Sequence, residues 1–114
     1  MKNYTEAKET LNGRQSKKID NNTYLIARGE NIAVMLHETD VVTFEPAGGV
    51  VFNSGGWRTI TTKDRMNNYG PCRIEQKKGQ WFINGALYQD GCRFENGAIT
   101  GTLPAHDSRI QLTY

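Results

Sequence analysis

The stretch NTYLIARGENIAVMLHETDVVTFEPAGGVVFNS, Asn22 to Ser54, decides the fold. Runs rich in Val, Ile, Tyr and Phe alternate with turn-forming residues at the spacing of about eight to twelve residues that favours antiparallel sheet over helix. NTYLIAR (Asn22 to Arg28) and NIAVMLHE (Asn31 to Glu38) flank Gly29-Glu30, which predicts a compact hairpin. DVVTFEP (Asp40 to Pro46) and GVVFNS (Gly49 to Ser54) flank Ala47-Gly48, which predicts a second. Together they form a β-meander, the core of a larger lobe.

Beyond the meander the signals change. TKDRMNNY, Thr62 to Tyr69, predicts a short helix: Thr62 is a suitable N-cap, Asp64 suits the positive helix end, and Gly70-Pro71 stops it. A second short helix fits Tyr4 to Leu11, ahead of Gly13. After Cys72 come shorter β-like pieces, CRIEQ, QWFIN, CRFEN, AITG and RIQLTY, with turns at Lys78-Gly79, Asp90-Gly91 and Asn96-Gly97. Asp-Gly and Asn-Gly are strong hairpin signals because their residues tolerate positive φ.

These signals give an α+β fold class, mainly antiparallel β. It is one domain over 1–114, with a larger β lobe at 1–70 carrying a short helix near 62–69 and a smaller β lobe at 71–114. The smaller lobe has too little apolar content to stand alone, so its apolar residues need either the first lobe or a second subunit, where the lobe would complete an oligomer interface.

A chain of 114 residues supports one core. The net charge of +2 is too balanced for a general grip on a nucleic-acid backbone, so no stable nucleic-acid complex is expected and any anion recognition is local. Cys72 and Cys92 form no CxxC pair, which argues against zinc and favours two free thiols. No apolar run approaches the roughly 20 residues that span a bilayer. The opening MKNYTEAKETLNG is polar, unlike a secretory signal. The expectation is a soluble, cytosolic protein with no membrane partner, no metal and no cofactor.

Catalysis has little visible machinery. His37 ends a strand and His106 sits in PAHDS, and no GxSxG, HExxH, P-loop or GxGxxG pattern occurs. Binding of a small anion fits better. In NSGGWRTITTKDR, Asn53 to Arg65, Gly55-Gly56 can expose backbone N–H groups, Arg58 and Arg65 can grip phosphate oxygens in a forked geometry, and Thr59, Thr61 and Thr62 add hydroxyls. The competing account makes Gly55-Gly56 a corner, Trp57 a core plug and the threonines cross-strand partners. A second cluster holds Trp81, Phe82 and Phe94 as flat faces, and Asn84, Asp90 and Asn96 as groups that can read a base edge or a ribose. Arg28 and Arg109 can stack on a base or pair with a diphosphate. Trp81 and Phe82 are adjacent on a strand and point to opposite faces, so at least one of them needs a surface other than the first lobe's core, and Phe82 is the one expected in a pocket.

The residues from Asn21 to Tyr69 carry a resemblance. Their asparagine-threonine-tyrosine, threonine-aspartate-valine-valine, glycine-tryptophan-arginine-threonine and lysine-aspartate-arginine motifs are similar to those of small phage and prophage proteins of the first Thoeris anti-defence family. That resemblance implies a sponge, which binds without cleaving the cyclic ADP-ribose isomer made by bacterial TIR-domain defence enzymes. It implies dimers with pockets for that signal, assembly into hexamers, and separate pockets for cyclic trinucleotides of another defence system. The setting it implies is the cytoplasm of an infected or lysogenic bacterial host. It puts Arg28, Phe82 and Arg109 at the ADP-ribose pocket and a base-reader near Cys92; the residue reading adds Asn84, Asp90 and Asn96 to that pocket. Arg58, Thr59, Thr61, Thr62 and Arg65 then serve the cyclic trinucleotide. Competing readings are a nucleic-acid-binding accessory protein, a hydrolase that degrades the signal, and a protein inhibitor of a defence effector.

Overall fold

The structure is a computed structural model that describes residues 2–103. Its first element, α1 (Tyr4–Leu11), is capped by Asn3, whose side chain accepts from the Glu6 N–H. Asn12 ends it in the left-handed conformation. Ala7 and Leu11 are the residues it buries.

The meander follows as β1 (Ser16–Asp20), β2 (Thr23–Arg28), β3 (Asn31–Leu36), β4 (Thr39–Phe44) and β5 (Val50–Phe52), each antiparallel to its neighbour. Alternation sets the two faces. Thr23 and Leu25 on β2, and Ile32, Val34 and Leu36 on β3, are buried, while Tyr24 and Arg28 are exposed on the other face. A register shift after Val34 lets Val41 and Val42 both turn inward on β4. The edge strand β1, SKKID, was not foreseen as a strand. Its exposed Lys17 and Lys18 mark the kind of edge that resists pairing with another chain.

The second helix, α2 (Ile60–Tyr69), begins earlier than Thr62. Thr59 is the N-cap, because its hydroxyl accepts the Thr62 N–H at 3.1 Å, and Thr62 is thereby drawn into the helix and buried. Met66 joins Ala7, Leu11 and the inward strand residues in one hydrophobic cluster.

A three-stranded sheet comes next, with β6 (Ile74–Lys77), β7 (Gln80–Ile83) and β8 (Ala86–Leu87). Lys78-Gly79 and Asn84-Gly85 form its turns, both with two positive φ angles. Trp81 and Ile83 face the core, and Phe82 is half-buried on the opposite face.

The last two strands do not stay with this small sheet. β9 (Arg93–Glu95) pairs with β5 through Val50–Phe94 and Val51–Arg93, and β10 (Ala98–Thr100) pairs with β9. The larger sheet thus has seven strands in the order β1-β2-β3-β4-β5-β9-β10. Asp90-Gly91 is therefore not a hairpin turn. It carries the chain from one sheet to the other, fixed by the Gly91 N–H on the Phe52 carbonyl at 2.7 Å.

Candidate functional site

The loop between β5 and α2 begins with Asn53, Ser54, Gly55 and Gly56. The two glycines have φ of 63° and 86°, and the Trp57 N–H closes the turn on the Ser54 carbonyl at 3.0 Å. Gly55 is doubly required, because a Cβ there would also lie 2.6 Å from the Thr39 hydroxyl oxygen.

A polar clasp holds the loop at Ser54. This residue is 1% exposed, and its N–H and hydroxyl both donate to the Asp90 carboxylate, at 2.8 and 2.9 Å. The Tyr88 hydroxyl donates to the same carboxylate at 2.8 Å. Burial alone would raise the Asp90 pKa; the bonds from Ser54 and Tyr88 and the nearby charge of Arg58 outweigh it and hold Asp90 below the ordinary carboxylate value. Tyr88 is pushed the other way, first by burial and then by Asp90. Arg58 completes the clasp. Its Nε donates to the Ser54 hydroxyl at 3.2 Å, and its guanidinium lies over the rings of Tyr88 and Trp81, 4.7 and 5.2 Å from their centroids.

On the other side of this loop an open groove of about 970 Å³ runs between the β3–β4 turn and the start of α2. His37, Glu38 and Thr39 line one wall, near Asn22, whose carbonyl accepts the His37 N–H at 2.9 Å. Thr59, Thr61 and Thr62 line the opposite wall. Trp57 belongs to the lining and is 67% exposed, so it does not plug the core. The capping bond from Thr62 to Thr59 leaves the N–H groups of Ile60 and Thr61 as the remaining donors of the first helical turn.

The three threonines expected to bind a ligand are thus together, whereas the two arginines expected beside them are elsewhere. Arg58 stacks on Tyr88 and Trp81. Arg65 is 9% exposed and points beneath α2, donating to the Thr23 hydroxyl at 2.9 Å and to Asp64 at 2.6 Å, with Asp20 3.5 Å away. The chain itself occupies its donors.

The other expected cluster is dispersed within the described residues. Arg28 grips Asp40 with two bonds, at 2.9 and 3.0 Å. Asn96 lies in the turn from β9 to β10, four strand steps from β2, or about 19 Å. Phe82 and Asn84 belong to the small sheet, where Asn84 accepts the Arg73 N–H at 3.0 Å in a tight turn. Asp90 is bound to Ser54, and Cys92 is buried. Arg109 and His106 lie outside the described residues.

Asn22, His37 and Glu38 had not been expected to meet the threonines. The signal for them was indirect: the β3–β4 turn and the helix start must sit at one end of the sheet if α2 packs across β3 and β4. Among the described residues no group of three or more His, Cys, Asp or Glu is placed to hold a metal, and no helix is long and apolar enough to cross a membrane.

The profile of the Kyanoviridae Gp96 protein family matches residues 1–101. The chain belongs to this phage family. No curated protein and no solved structure matches it. The span shared with Gp96 includes both walls of the groove, the Trp57 loop and the clasp at Asp90.

Proposed function

We propose that this phage protein binds and sequesters a small nucleotide signal without cleaving it, and so blunts a bacterial anti-phage alarm. The supporting observation is the groove, where an exposed indole stands beside amide, imidazole and hydroxyl groups in a space of ligand size. An indole offers a stacking face to any base, and the surrounding polar groups can read a base edge or a ribose. Among the described residues, His37 and Glu38 are the titratable members of the lining, adjacent in one turn rather than converging from opposite walls. That arrangement suits retention better than hydrolysis.

The finer reading takes its ligand from the resemblance: a cyclic ADP-ribose isomer, with cyclic trinucleotides as a second class. Self-association into dimers and hexamers would then bring together pocket residues that lie in different sheets of one chain, such as Arg28 and Phe82.

The test is recovery of the ligand. Purified protein is mixed with the cyclic ADP-ribose signal and filtered, and the retained fraction is heat-denatured. Depletion of the filtrate followed by release of intact signal is the expected result. Release of a linear product would replace sequestration with hydrolysis, and signal that never leaves the filtrate would overturn the reading.

A further inference from the structure

The charges that surround the groove restrict which part of a nucleotide it can hold. Among the described residues its lining contains no lysine and no arginine. The cations close to it in sequence are engaged elsewhere: Arg58 over Tyr88 and Trp81, Arg65 beneath α2 with Asp64 and Asp20, and Lys63 on Gln76 at 3.0 Å. Arg28, on the far strand β2, is paired with Asp40. Of the described lining residues, Glu38 is the acidic one and His37 the basic one. A phosphate drawn into this space would meet a carboxylate and, among the described residues, no Arg or Lys side chain; the partial positive charge of the α2 start, with the Ile60 and Thr61 N–H groups, is the one feature there that favours an anion.

What the lining does offer is suited to an uncharged, hydroxyl-rich ring system. Trp57 supplies an accessible flat face. Asn22 and Glu38 supply amide and carboxylate partners for sugar hydroxyls or base edges, and Thr39, Thr59 and Thr61 supply hydroxyls that both donate and accept.

We infer that the groove recognises the nucleoside part of its ligand, base stacked on Trp57 and ribose hydrogen-bonded to the polar walls, with the phosphates left in solvent. The inference rests on the nucleotide-binding reading above and narrows it to the uncharged half of the molecule.

The experiment follows the Trp57 indole N–H resonance, assigned by its loss in Trp57→Phe, while intact protein is titrated with adenosine, adenosine monophosphate and ATP. Adenosine is expected to bind at least as tightly as the monophosphate, with ATP about three- to tenfold weaker through repulsion from Glu38. Raising the salt concentration should narrow that gap, and Glu38→Gln should nearly abolish it. ATP binding more tightly than adenosine, and weakening as salt is added, would overturn the inference and leave the nucleotide-binding reading standing. No response to any of the three ligands at concentrations on the order of millimolar would overturn the inference, and retention of the cyclic signal on filtration would then decide whether the nucleotide-binding reading stands without it.

Discussion

Asp90 and Ser54 are joined twice, by the N–H and the hydroxyl of Ser54 to the two carboxylate oxygens of Asp90 at 2.8 and 2.9 Å. This pair binds the turn that precedes β9 to the loop that carries Trp57, so one contact sets both the return of the chain to the large sheet and one side of the groove. Asp90→Ala would leave the buried Ser54 and Tyr88 donors without their acceptor. The expected cost is about 2–4 kcal/mol, from three lost bonds to a charged group. Urea unfolding measures it, and a loss under about 0.5 kcal/mol would refute the clasp.

The same carboxylate makes stability depend on pH. Its pKa is lower in the folded chain than in the unfolded one, so its contribution is complete above the unfolded value and disappears as pH falls through the folded value. Glu45, held below its ordinary value by its bond to Arg93, acts with the same sign. Melting temperature should therefore fall as the solution is taken below the usual carboxylate range. The fall should be shallower in Asp90→Asn, which has lost the titrating group; parallel curves for the two proteins would assign the acid sensitivity to other residues.

The two tryptophans should separate stability from binding. Trp81 is buried and makes an edge contact with Tyr88 at 5.6 Å, so Trp81→Ala should cost about 3–5 kcal/mol. Trp57 is 67% exposed, and its removal should change stability by less than about 1 kcal/mol while abolishing ligand retention by the groove. Thermal unfolding and the filtration assay together check the contrast. Full retention by Trp57→Ala would exclude Trp57 from the binding surface.

Much of the fold was legible because its determinants are local. Gly29-Glu30 and Asn96-Gly97 announce their hairpins within a few residues, and the alternation of Thr23 to Leu36 assigns faces without tertiary knowledge. The return of β9 was not legible, since it depends on Val50–Phe94 and Val51–Arg93, pairings formed across more than forty positions. The fate of the arginines was hidden for the same reason. Arg65 and Arg58 look equally available in NSGGWRTITTKDR, yet Thr23 and Asp20 take one and Tyr88 and Trp81 take the other, from distant parts of the chain. Of the expected site, the threonines could be grouped in advance because they share one short segment with the helix start. His37 and Glu38 reach them by tertiary packing alone.

Arg65 should behave as a structural residue. Its guanidinium ties α2 to the β1–β2 connection through Thr23, Asn21 and Asp20, and it is almost fully buried. Arg65→Ala would leave those groups without their shared donor and is expected to cost about 3 kcal/mol. Under conditions where the variant remains folded, its ligand affinity should stay within about twofold of the parent. A stable protein with abolished binding would return Arg65 to the ligand.

Cys72 and Cys92 should be nearly inert until the chain unfolds. Both thiols are buried and unbridged. Burial is the leading cause that pushes each pKa up to about 11. The thiolate is the reactive form, so at mildly alkaline pH each native thiol is both shielded and overwhelmingly protonated. A chromogenic disulfide reagent should therefore label native protein slowly, with both thiols reacting at once after addition of denaturant. Because labelling then requires opening of the core, Asp90→Ala should accelerate it in proportion to its loss of stability wherever global unfolding limits exposure. Fast labelling of the native protein would mean that the region joining the two sheets opens without unfolding the rest, and the clasp at Asp90 would no longer account for how it is held.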